Sequence, residues 1–79
     1  MKIRNSINGN KERKVFIHEN KREESVLVAI PSLNWSILFS YDEFGEGLAD
    51  KMKKTLGQKA DQEEAEELVQ RILQWTREM

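Results

Sequence analysis

The stretch VLVAIPSLNWSILFSY, Val26–Tyr41, decides how this chain folds. Pro31 has no N–H to give to a strand ladder, so it ends the apolar run before it. Ser25–Ile30 is therefore predicted as one strand, PSLN as a turn, and Trp35–Tyr41 as the next strand. In the second of these, Trp35, Ile37, Phe39 and Tyr41 fall on one face, with Ser36, Leu38 and Ser40 on the other. Alternation with a period of two marks an antiparallel strand buried on one side. The run is also too broken for a membrane span: Val26–Pro31 is far short of the roughly 20 apolar residues a bilayer requires.

Outward from this pair, the amino-terminal side reads as a hairpin. In RNSINGNKERKVFIHE the Asn8-Gly9-Asn10 triplet supplies residues that tolerate positive φ. A two-residue loop at Asn8-Gly9 opposes Arg4 to Arg13, whereas a three-residue loop pairs Ile3 with Val15 and Met1 with Ile17. Cross-strand apolar pairs stabilise and opposed like charges do not, so the three-residue loop is expected, with Asn10 left-handed. Asn20–Glu24 is a polar connection.

On the carboxyl-terminal side the period changes. Phe44, Leu48, Met52 and Leu56 recur every four residues, one face of a helix, with Asp42 as its expected cap and Gly57 beyond its end. Gly45 and Gly47 weaken its first turn, so it is expected to firm up near Glu46. A second helix opens at Asp61 with Glu64 three residues on, a capping-box pattern. Its apolar stripe is Ala65, Leu68, Val69, Ile72, Leu73 and Thr76, and Glu67 and Arg71 stand four apart for an ion pair. The glutamates at its start (Glu63, Glu64, Glu66, Glu67) are expected to be solvated and to oppose the helix dipole. The order β-β-β-β-α-α predicts one α+β domain over residues 1–79, an antiparallel sheet with two helices on one face. Leu48, Met52, Leu56, Leu68, Val69 and Ile72 should meet Trp35, Ile37, Phe39, Val26, Val28 and Ile30.

Several chemistries have no residues to work with. The chain has no cysteine, so neither disulfide nor thiolate chemistry is available to it. His18 stands alone, without a recognisable nucleophile or a second histidine at metal-binding spacing, and reads as a strand-surface residue. FGEGLADKMKK places two glycines before a helix but lacks the GK[ST] ending of a phosphate loop, and Glu46 and Asp50 would repel a phosphate. No catalytic residue, cofactor, metal site or small-molecule substrate is predicted. The basic start has no apolar run after it, which removes the secretory reading of both the amino terminus and the NWS sequon. A cytoplasmic location is expected.

Two surfaces remain. Residues 1–22 carry seven basic and two acidic groups, the rest six basic and twelve acidic. Lys2, Arg4, Lys11, Arg13 and Lys14 could neutralise phosphates of a nucleic acid, although an overall isoelectric point near 5.8 is low for a dedicated binder. The second surface is apolar. Phe16, Leu27, Ala29 and Leu38 point away from the predicted helix layer, and Trp75 lies off the centre of the helix stripe. A contiguous apolar patch of a few hundred Å² marks a partner.

The stretch VFIHENKREESVLVAIPSLNWSILFSYDE, followed by AEELVQRILQWTREM, resembles the YueH-like family of small proteins from Gram-positive bacteria. That resemblance carries no assigned activity and transfers no catalytic or binding residue. VAIPSLNWSILFSYDEFGEGLADKM is also similar, at the level of fold, to the HicB-type antitoxin domain, whose proteins neutralise an RNA-cleaving toxin by binding it. The extra hairpin and the missing DNA-binding tail set this chain apart from that family. The expected function is a non-enzymatic interaction or regulatory module, self-associating or binding a protein partner through the open sheet face. The alternative is a nucleic-acid-associated protein that uses the basic hairpin.

Overall fold

The computed structural model describes residues 1–78, with the backbone alone for Glu46. Four antiparallel strands follow one another in space as they do in sequence: β1 (Lys2–Asn8), β2 (Lys11–Asn20), β3 (Ser25–Ile30) and β4 (Trp35–Ser40). Two helices complete the chain, α1 (Glu46–Leu56) and α2 (Gln62–Arg77). This is the predicted α+β architecture.

The β3–β4 pair has the predicted faces. Val26, Val28 and Ile30 lie opposite Phe39, Ile37 and Trp35, and all six are buried. Pro31 opens a 3-10 turn over Pro31–Leu33, and Asn34, at φ 50°, returns the chain into β4. Leu33 in that turn is buried as well. The helices meet this face with Leu48, Met52, Leu56, Ala65, Leu68, Val69 and Ile72, and Val15 and Ile17 of β2 close the core. The buried Trp35 indole donates its Nε1–H to Thr55 Oγ1 on α1 at 3.0 Å, so its polar atom is satisfied.

The hairpin register differs from the expectation. Asn8 pairs with Lys11, so the loop is the two residues Gly9-Asn10, and Ile3 faces Phe16 rather than Val15. Lys2, not Met1, faces Ile17. Gly9 takes φ +63°, and Asn10 is not among the positive-φ residues. Glycine at the first central position is the type II′ pattern, whose twist matches that of the strands. The physical reason for this register lies outside the hairpin. It turns Ser6 toward the helices, where Arg71 donates to it, beside Arg13, which strand parity already places on that side.

Three helix-end expectations also change. Strand β4 stops at Ser40, and Tyr41–Glu43 form a 3-10 turn capped reciprocally by Ser40 and Glu43. Asp42 lies within that turn and is no helix cap; the residue before α1 is Gly45, at φ 140°, a conformation that favours glycine. Phe44 precedes the helix and sets its ring edge-on against Phe39, centroids 5.3 Å apart. Gly57 ends α1 at φ −62°, so the left-handed region is not what selects glycine there. A Cβ at Gly57 would stand 3.0 Å from the Lys53 carbonyl oxygen, and that close approach supplies the reason.

Candidate protein-interaction face

Antiparallel partners share a face, so the pairing register defines what the outer side of the sheet presents. One row runs Ile3, Phe16, Ala29, Ser36 across all four strands, and the next runs His18, Leu27, Leu38. Leu38 is 63 % exposed, Ile3 56 % and Leu27 40 %, while Phe16 and Ala29 are half-buried by their neighbours. Ile7, paired with Glu12, adds a further exposed side chain on the same face, 57 % exposed. The four strand residues expected to form an outer strip are thus brought together, and His18 lies exposed beside them. Ile3 and Ile7 were missed because the expected register placed Ile3 opposite Val15, on the core side. The two helices pack on the opposite face, and the Pro31–Ser32 turn borders Phe16 at one end of the strip.

Trp75 belongs elsewhere. It is half-buried on α2 and packs against the core from the helix layer, so it does not join the outer strip. Its placement off the stripe reflects wrapping of the core edge.

The basic hairpin is divided by the sheet. Lys14 is on the outer face, whereas Lys2, Arg4, Lys11 and Arg13 share the helix side. Arg13 is engaged: its Nε and Nη2 donate to the two Glu64 oxygens at 2.6 and 3.3 Å, and its Nη1 to Ser32 Oγ at 3.3 Å. The Glu64 carboxylate holds the Arg13 guanidinium above its ordinary pKa, against a smaller opposing effect of burial. Lys11 Nζ stands 3.9 Å from Glu64. Glu64 itself is 4 % exposed, which corrects its reading as a solvated helix-start residue. The capping box is also only half formed. Asp61 accepts from the Glu64 N–H at 2.8 Å, but the Glu64 side chain turns to Arg13 instead of back to Asp61. Arg71 pairs with Glu67 as expected, and it also donates to Ser6 Oγ at 2.6 Å and to the Ile7 carbonyl at 3.0 Å. These contacts tie the helix layer to β1 and β2.

A small cleft lined by Glu19, Val26, Tyr41, Phe44 and Thr76 holds one perturbed group. The Tyr41 hydroxyl donates to the Glu19 carboxylate, and that bond, with partial desolvation and the Glu19 charge behind it, pushes the phenol up to about 12. A phenol held neutral in this way is a hydrogen-bond donor that fixes the end of β2 against the turn after β4. Opposite effects act at Glu43, whose carboxyl is lowered by the Ser40 backbone N–H it accepts from. Among the described residues, no three His, Asp or Glu side chains gather at metal-binding distance.

A family model described as YueH-like protein matches residues 2–78. The chain belongs to the YueH-like family. It is similar to the protein "Uncharacterized protein YueH" of Bacillus subtilis (strain 168), with 37 % identity over 65 residues, covering 82 % of this chain and 79 % of that one. No solved structure matches it. YueH-like membership covers the sheet and both helices alike, so the outer face described above lies within the family's own span. No helix among the described residues is long and apolar enough to cross a membrane.

Proposed function

We propose that this protein is a small, non-enzymatic interaction module of the cytoplasm that binds a protein surface, its own or another chain's, through the open face of its sheet. The observation that carries the reading is the apolar field of Ile3, Phe16, Leu27, Ala29 and Leu38 on the side of the sheet away from both helices. Leaving Leu38 and Ile3 more than half exposed forgoes about 1 kcal/mol or more of burial for each, which a partner surface can recover. The alternative, nucleic acid held by the hairpin, has less support. Its five cations are split between two faces, and Arg13 is already committed to Glu64.

A photo-cross-linker placed at Ser36, exposed in the outer row, tests the proposal in intact cells, with Gln70 on α2 as an exposed control. The expected result is a discrete protein adduct from Ser36 alone, abolished in the Leu27→Thr/Leu38→Thr variant. No adduct, or the same adduct from Gln70, would overturn the reading.

A further inference from the structure

Strand β1 forms one edge of the sheet, and its seven residues pair with β2 one to one, without a bulge or a proline. Bulges, prolines and charged side chains are the devices that normally stop an edge from recruiting another strand. Strand β1 lacks the first two and carries Lys2 and Arg4, so a partner strand must supply acceptors for those charges. In a two-residue hairpin the residues flanking the turn, here Asn8 and Lys11, exchange hydrogen bonds, and the pattern then alternates along the strand. Lys2, Arg4, Ser6 and Asn8 therefore spend their backbone groups on β2, while those of Ile3, Asn5 and Ile7 face away from it. The Ile7 carbonyl fits this assignment, because it is free to accept from Arg71 at 3.0 Å.

The two isoleucines of this edge lie symmetrically about Asn5. A two-fold axis through Asn5 sets Ile3 opposite Ile7 of a second copy, Arg4 opposite Ser6, and Lys2 opposite Asn8. The outward N–H and C=O groups of Ile3, Asn5 and Ile7 then meet their counterparts in hydrogen-bonding register, the Ile7 carbonyl using its second lone pair. No like charges stand opposite one another. Moving the axis to Arg4 would oppose two guanidinium groups, and moving it to Ser6 would shorten the overlap.

The charges supply the second argument. Lys2 and Arg4 are exposed on the helix side of β1, and among the described residues neither has an ion-pair partner. Asn8, which Lys2 would meet, borders a cleft lined by Lys11, Asp61, Glu63, Glu64 and Glu67. Ser6, which Arg4 would meet, is held by Arg71, a cation whose charge Glu67 balances, so the complementarity rests on Lys2. Lys2 of one chain would thus lie beside the acidic start of α2 in the other. The opposite edge, β4 (WSILFS), has no charged residue and offers no such complementarity.

We propose that two copies of this chain join antiparallel through β1 about a two-fold axis at Asn5, making one eight-stranded sheet with Lys2 of each copy beside the acidic α2 start of the other. This contact is distinct from the open face, which it would extend by bringing Ile3 of one copy beside Ile7 of the next. A strand-edge contact buries little area, so the dimer forms at micromolar rather than nanomolar concentration.

Sedimentation equilibrium over micromolar to submillimolar concentrations, with site-resolved amide exchange, tests it. The wild type should pass from monomer to dimer, and the Ile3, Asn5 and Ile7 amides should gain protection as it does. Asn5→Pro removes an N–H that β2 does not use, so it should fold normally and associate at least about tenfold more weakly. Lys2→Glu should weaken association in the same direction at low salt. Leu27→Thr/Leu38→Thr should dimerise as the wild type does. A monomer at every concentration, free exchange at Ile3, Asn5 and Ile7, or a dimer that withstands Asn5→Pro would overturn the proposal. A dimer dissolved by Leu27→Thr/Leu38→Thr instead would also overturn it, while leaving the open face as the interaction surface.

Discussion

The two faces of the sheet are built from the same kinds of residue and meet different fates. On the helix side, Val15, Ile17, Val26, Val28, Ile30, Trp35, Ile37 and Phe39 are covered by Leu48, Met52, Leu56, Leu68, Val69 and Ile72. On the outer side, Ile3, Leu27 and Leu38 stand open, with Phe16 and Ala29 between them. A 79-residue chain has two helices to spend, enough to cover one face. The difference teaches which residues hold the fold and which are available for something else. Neighbours one position apart in β4, Leu38 and Phe39, stand at the two extremes, 63 % and 1 % exposed.

Breaking the covered face should have the largest effect. Phe39→Ala leaves a cavity beneath both the sheet and Phe44, and should lower unfolding free energy by about 3–5 kcal/mol in urea titration. The seam between hairpin and helix comes next. Arg13→Met leaves the buried Glu64 carboxylate with only Lys11 nearby, at 3.9 Å, and should cost about 2–3 kcal/mol. Adding Glu64→Leu to that variant should restore much of the loss, since the penalty comes from an unpaired buried charge.

A smaller effect sharpens the other end of the sheet. Tyr41 is the single tyrosine, so absorbance near 295 nm reports its ionisation alone. The midpoint should lie near 12, and Glu19→Gln should bring it back toward the ordinary value of about 10. Because the folded pKa is the higher one, the Tyr41–Glu19 contribution is fully present below pH 10. It is lost as pH rises from about 10 to 12. A midpoint unchanged by Glu19→Gln would remove Glu19 as the cause.

Much of this comparison was legible in the sequence because the deciding signals are local. The period-two run Trp35–Phe39, the four-residue spacing of Leu48, Met52 and Leu56, and the Asp61 cap each specify their element within a few residues. The hairpin register was not legible, for a physical reason. Cross-strand pairs within Lys2–Asn20 favoured a longer loop, but the native register brings Ser6 to Arg71, more than sixty residues away along the chain. The same blindness hid Ile3 and Ile7 from the outer face, and made Glu64 look like a solvated helix-start residue. Phe16, Leu27, Ala29 and Leu38 were legible because strand parity alone assigns them.

The smallest expected change in stability belongs to the outer face, and it gives the most direct test of the account. Leu27→Thr/Leu38→Thr puts β-branched residues of good strand propensity at both positions, and removes the apolar field with a cost to folding within about 1 kcal/mol. The measurement is the urea midpoint of this variant set beside cross-linking from Ser36 in cells. The account predicts a near-unchanged midpoint with the adduct lost. A variant that loses as much stability as Phe39→Ala, or that keeps the adduct, would contradict it.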